Sequence, residues 1–285
     1  MSDMHDDIRS SSVGRRRFLQ LGGLGAASAA VLAACGGREN GGLARVGNAP
    51  IVTPLPDPVV NDGVLLRTAA SIERSAAGFY DTIIADPELL DPSDRPWAST
   101  FRDNHESHAS TFDDLTGQVG AEVWPCSNPR IDEFVIAKVM QLVKGAPKTE
   151  DAAEVPPTDD PKRDILNFLH AFESMMGAWG QALIPLLSTG DLRQEAITIG
   201  AREAKQAALI ALRVTGRPDG YVAPTEASAN PPEFPVEYAI PAAYGQLSGQ
   251  QFVLGAKNES GVRTTISLET PSLNTYVYDY LSPSC

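Results

Sequence analysis

The sequence predicts a mainly α protein: a four-helix bundle of two helical hairpins joined by a long crossover, with a small β-containing tail. Three observations lead there. Four long segments carry apolar residues at helical spacing. The breaks between them run short, long, short, which makes two antiparallel pairs. Beyond Gly216 the helical pattern stops, and prolines give way to alternating β-branched residues.

The first helix opens at Asn61 or Asp62 as N-cap and runs to about Ala85, with Leu66, Ala69, Ala76, Tyr80 and Ile83 on one stripe. A connection of about a dozen residues leads to the second, from about Trp97 to Val119, striped by Phe101, Phe112, Leu115 and Val119. The crossover, Gly120 to Asp159, holds a short amphipathic helix (Ile131 to Val143) and an acidic, proline-rich loop, Pro147 to Pro161. Asp160-Pro161 then starts the third helix, an N-cap followed by proline at the first helical position. Its stripe of Leu166, Leu169, Met176 and Leu183 carries it to about Leu187. A tight connection at Ser188 to Gly190 leads to the fourth, which begins at Asp191, where Gln194 completes a capping box. It ends near Gly216 after Ile199, Ile210 and Leu212. In the tail, Phe252 to Ala256 and Val262 to Thr270 read as strands about a turn at Asn258-Glu259-Ser260-Gly261, with Tyr276 to Leu281 as a third.

The chain therefore divides into residues 1–35, a tether at 36–60 rich in Gly, Pro and Asn, a bundle at 61–216 and a tail at 217–285. The first of these reads as a secretory signal: a polar n-region, a weakly apolar run and a small-residue end at Leu32-Ala33-Ala34-Cys35. Arg15-Arg16-Arg17-Phe18-Leu19 resembles a twin-arginine motif, although Gly14 precedes the pair and Gln20 stands where lysine is common. The run ending in Cys35 resembles a lipobox, which implies a lipidated cysteine at the head of the mature chain; an ordinary cleaved signal is the alternative. The expectation is a twin-arginine exporter as partner and an exported, cell-surface or periplasmic lipoprotein held to the membrane through Cys35.

A net charge of −13 argues against nucleic acid and anionic lipid surfaces as partners, since both repel it. The lipid, and not surface charge, would hold the protein to its membrane. Cys126 and Cys285 are the only other cysteines. Outside the cytoplasm they are expected to form a disulfide, with two unpaired thiols as the alternative.

Polar residues interrupt all four stripes. Glu73 sits between Ala69 and Ala76, His105 and His108 lie between Phe101 and Phe112, Glu173 between Leu169 and Met176, and Glu203 and Gln206 between Ile199 and Ile210. Buried carboxylates cost on the order of several kcal/mol each unless paired, protonated or metal-bound. No Lys or Arg shares these stripe positions, and Arg74 and Arg202 point about a third of a turn away. Six inward groups of this chemistry point to a divalent cation. A hydrogen-bonded network without metal is the alternative. His170, three residues before Glu173, is expected to hold a carboxylate in place, and Tyr80 to lie one layer away.

The pattern resembles the ferritin-like di-iron carboxylate proteins, which place one Glu on each of two helices and Glu-x-x-His on each of the other two. Glu73 and Glu173 match the single glutamates, while His105-Glu106-Ser107-His108 and Glu203-Ala204-Lys205-Gln206 match the paired motifs. Ser71-Ile72-Glu73-Arg74-Ser75-Ala76-Ala77 and Gly200-Ala201-Arg202-Glu203-Ala204 resemble runs in secreted bacterial ferritin-like domain proteins. Two positions depart: His105 stands where that family has Glu, and Gln206 where it has the metal-binding His. The resemblance implies a site for Fe, Mn or Zn, as one or two ions, and redox work on a metal or peroxide. A bundle with a structural or binding role is the competing expectation. Storage in a hollow shell is not expected, because a lipid anchor and a long tail obstruct a cage. Oligomeric state is left open, and no Ser-His-Asp set, phosphate loop or dinucleotide fingerprint suggests other chemistry.

Overall fold

In the computed structural model, which describes residues 58–150, 152–215, 250–283 and 285, four long helices pair as two hairpins. The signal segment with Cys35, almost all of the tether and the proline-rich stretch up to residue 249 lie outside the described residues. Helix α1 (Asp62–Ala85) lies along α2 (Arg95–Gln118). The crossover supplies α3 (Pro129–Ile131), a π-helical turn (Asp132–Ile136) and α4 (Ala137–Lys144). Helix α5 (Pro161–Leu183) lies along α6 (Gly190–Thr215). Strands β1 (Gln250–Leu254) and β2 (Thr264–Leu268) form one antiparallel pair, with Phe252 opposite Ile266 and β1 against α5. No helix among the described residues is long and apolar enough to cross a membrane.

Local chemistry explains the ends. The Asn61 side chain accepts from the Val64 backbone N–H at 2.9 Å, satisfying one orphan donor of α1. The Asp160 carboxylate does the same for Arg163 at 3.1 Å, with Pro161 in the first turn. The α6 cap differs from expectation. The helix starts at Gly190, and the Thr189 hydroxyl accepts from Leu192 N–H at 3.4 Å, so Asp191 lies inside the first turn, where its charge faces the helix dipole. Helix α5 also stops at Leu183, four residues early, because Leu186 and Leu187 turn back onto the Leu183 carbonyl.

The core is continuous through both hairpins and reaches the strands. Phe79 meets Phe168 edge-on with centroids 5.0 Å apart, Phe168 stacks on Phe172 at 5.2 Å, and Phe252 of β1 closes over Phe168 at 5.6 Å. Close backbone packing of α5 on α6 depends on glycine. A Cβ on Gly180 would stand 2.7 Å from the Gly200 Cα and would part the helices, while one on Gly200 would press on the Gly180 Cα at 3.1 Å. Two expected stripe residues, Val119 and Leu212, are exposed at 38% and 41%: Val119 follows the last helical residue, and Leu212 shares the outward face with Leu209 while Ala211 and Val214 face the core.

Tyr276 to Leu281 forms no third strand. Its alternation serves a strap laid across α1: the Val277 N–H donates to Thr68 Oγ1 at 2.8 Å, and Asp279 pairs with Arg67. Asn128 joins strap to helix. Its Nδ2 donates to Ser71 Oγ at 2.9 Å and to the Thr275 carbonyl at 3.0 Å, and its backbone N–H donates to Ser75 Oγ at 2.9 Å. Cys126 and Cys285 form the expected disulfide. Helix α1 is thus covered on both faces, and Arg67, Thr68, Ser71 and Ser75 are buried opposite the bundle core.

Candidate metal centre

One polar layer crosses the bundle. Glu73 of α1, His105 and His108 of α2, Glu173 of α5, and Glu203 and Gln206 of α6 are all buried. Helical periodicity brings them there: each falls on its helix's inward stripe, one to two turns from the residues that pack against the neighbours.

Ligand atoms of Glu73, His105, His108 and Glu203 lie within 4.8 Å of one another. His105 Nδ1 is 2.7 Å from Glu73 Oε2 and 3.8 Å from Glu203 Oε2. His108 Nδ1 is 2.5 Å from Glu203 Oε1 and 3.7 Å from Glu73 Oε2. The 2.5 Å contact lacks hydrogen-bond alignment. Neither atom, nor His108 Nε2, has a hydrogen-bond partner among the described residues. Buried polar atoms left this way are costly in a well-packed interior.

Glu173 is not one of those four. Its Oε1 accepts from the Tyr80 hydroxyl at 2.5 Å and lies 3.1 Å from His105 Nε2, and its Oε2 accepts from Gln206 Nε2 at 2.9 Å. Gln206 Nε2 also donates to Glu203 Oε2 at 2.8 Å, while its Oε1 accepts from Asn104 Nδ2 at 2.7 Å. Tyr80 stacks on the His105 ring with centroids 5.4 Å apart. His170 is buried on α5 outside the converging set. Burial pushes its pKa down to about 4 against the opposing Glu173 charge, so it is neutral.

Electrostatics divide the remaining groups. Burial alone would lower both cluster histidines, but the carboxylates override it. Glu203 and Glu173 hold His105 well above the usual range, and the Glu203 and Glu73 contacts bring His108 to about 9. Burial raises Glu203 strongly, and the Glu73 and Glu173 charges add to this. Glu173 is held below the carboxylate range, because the His105 charge and its hydrogen bonds outweigh burial. Burial, then the Glu173 charge, raises Tyr80 and keeps its phenol protonated. No arginine or lysine enters the layer among the described residues: Arg74 turns away to Asp113 and to the Trp124 carbonyl, and Arg202 is exposed.

Asn104 was not predicted from sequence. It lies three residues after Phe101 and four before His108, on the border of the same stripe, and that spacing is the signal that would have found it.

A helical bundle whose core is crossed by carboxylates and imidazoles from all four helices defines a carboxylate-bundle protein. The sequence model for the ferritin-like domain matches residues 61–215, and the chain belongs to that family. No curated protein and no solved structure gives a significant match.

Proposed function

We propose that this chain binds a divalent cation between Glu73, His105, His108 and Glu203, as an exported ferritin-like protein anchored to a membrane through a lipid on Cys35. The observation that carries the reading is the convergence of four buried ligand atoms, from Glu73, His105, His108 and Glu203, within 4.8 Å of one another, with both His108 nitrogens and Glu203 Oε1 lacking an aligned hydrogen bond among the described residues. Four such ligand atoms suit a cation at their centre, and neighbouring donors on a tetrahedral ion stand about 3.3 Å apart, so His108 Nδ1 and Glu203 Oε1 would part slightly to admit it. Mixed imidazole and carboxylate donors fit Zn, Mn or Fe(II).

The other residues have orienting roles in this reading. His105 Nε2–H donates to Glu173, which turns the Nδ1 lone pair toward the cation, a carboxylate–imidazole arrangement common behind metal ligands. Tyr80 fixes Glu173 from the far side and stacks on His105. Gln206 holds Glu173 and Glu203 at a set separation. A bound iron or manganese ion would supply one-electron chemistry toward peroxide or another metal ion; zinc would not. Twin-arginine export suits a protein that takes up its metal before leaving the cytoplasm.

Metal analysis of the full chain purified from its native compartment tests the reading, alongside melting temperatures with added Fe, Mn or Zn. Binding is expected in the wild type and lost in Glu73→Ala and His108→Ala. Metal-free protein whose melting temperature ignores all three ions would instead support a bundle with a structural or binding role. The two carboxylate contacts of His105 favour that second reading.

A further inference from the structure

Glu173 Oε2 and Glu203 Oε2 converge on one point, and that point is occupied by the Gln206 side-chain nitrogen, 2.9 Å from the first and 2.8 Å from the second. A side-chain amide nitrogen carries two hydrogens, so both are engaged by these carboxylates. At the other end of the amide, Oε1 accepts from Asn104 Nδ2 at 2.7 Å. Turning the amide over would set its oxygen against two carboxylate oxygens and its nitrogen against the Asn104 donor. All three hydrogen bonds would be lost, so its direction is fixed. The half-buried Asn104 acts as the latch.

We infer that the Asn104–Gln206 pair is a plug that limits this centre to one cation. The Gln206 nitrogen stands where a second cation would bridge Glu173 and Glu203. Its positive N–H edge serves those carboxylates in the cation's place without adding a ligand. Glu173 is also tied down on its other oxygen by Tyr80 and His105, leaving neither of its oxygens open. Among the described residues, the layer's ligand atoms without a hydrogen-bond partner are other ones: both nitrogens of His108 and Glu203 Oε1. Two carboxylates there, Glu73 and Glu203, balance one divalent charge and no more.

This inference rests on the metal-binding reading above, and stoichiometry separates the two. Full-length apoprotein is titrated calorimetrically with Zn²⁺ and with Mn²⁺, with bound metal counted after desalting and helical content followed by circular dichroism. The wild type is expected to take one equivalent and Gln206→His two. Asn104→Ala, which removes one of the three hydrogen bonds that fix the amide and so lowers the cost of turning it toward a cation, is expected to take a second equivalent about tenfold more weakly than the first. Two equivalents in the wild type would overturn the plug and leave the metal centre standing. One equivalent in a folded Gln206→His would also overturn it. If that variant does not fold, Asn104→Ala decides, and a single equivalent there counts against the plug. No metal in the wild type would overturn both the plug and the centre.

Discussion

Around His108 the polar layer is under-satisfied, whereas around Gln206 it is saturated. His108 has both ring nitrogens without a hydrogen-bond partner among the described residues, and Glu203 Oε1 beside it has none either. A few ångströms away, Glu173 accepts from Tyr80 and Gln206 and touches His105, and Gln206 has both ends engaged. Burial and apolar surroundings are alike on the two sides, so burial alone does not mark a ligand site. The mark is buried ligand atoms that converge from several helices without aligned hydrogen bonds among the described residues. Where an amide supplies the opposite sense, the carboxylates are content without a cation.

The largest expected effect tests the under-satisfied side directly. Glu73→Ala removes a charged ligand and should cut Zn²⁺ affinity by more than about 100-fold in calorimetric titration, since one carboxylate cannot balance a buried divalent ion. On the saturated side the loss should be smaller. Glu173→Gln keeps the shape but weakens the acceptor behind His105, and a fall of about 10–100-fold is the usual scale for such orienting partners. Equal losses in the two variants would erase the distinction and make Glu173 a ligand. Tyr80→Phe removes one hydrogen bond to a charged group and should cost about 1.5–3 kcal/mol in urea unfolding, with metal stoichiometry unchanged.

The remaining effect is in pH. His108 is raised to about 9 in the folded protein, against about 6.5 for an unperturbed imidazole. Its contribution to the metal-free protein is therefore fully present below about 6.5 and is lost as pH rises through about 9. The apoprotein's melting temperature should fall across that window. Metal uptake must displace the same proton, so Zn²⁺ binding should release protons to the buffer below pH 9. A flat apoprotein profile would mean that His108 is neutral, its charge state already set without Glu203.

Much of this was legible in the sequence because helical period and side-chain chemistry are both local. Glu73, His105, His108, Glu173, Glu203 and Gln206 reach one layer because each replaces an apolar residue on a stripe. Asn61 and Asp160 were readable as caps for the same reason. What sequence could not convey was direction and partnership. Gln206 reads as a weak ligand until Asn104 is seen to hold its oxygen from another helix. Tyr276 to Leu281 has strand-like alternation, yet whether such a segment pairs with a strand or lies on a helix depends on distant Thr68 and Arg67. Thr189 displaced Asp191 as the α6 cap because the hydroxyl sits one position before the first helical residue, a shift within the ordinary fraying of helix ends.

If the centre holds the proposed cation, the strap over α1 would set how quickly that cation exchanges. Helix α1, which carries Glu73, is enclosed by the bundle on one face and on the other by Asn128, the strap and the Cys126–Cys285 bond. Helix α6, which carries Glu203 and Gln206, leaves Ile197, Arg202, Lys205 and Leu209 exposed. Amide protons should therefore exchange slowest in α1 and faster in α6. An ion would enter and leave when α6 breathes, so its residence time reflects the opening rate of that one helix.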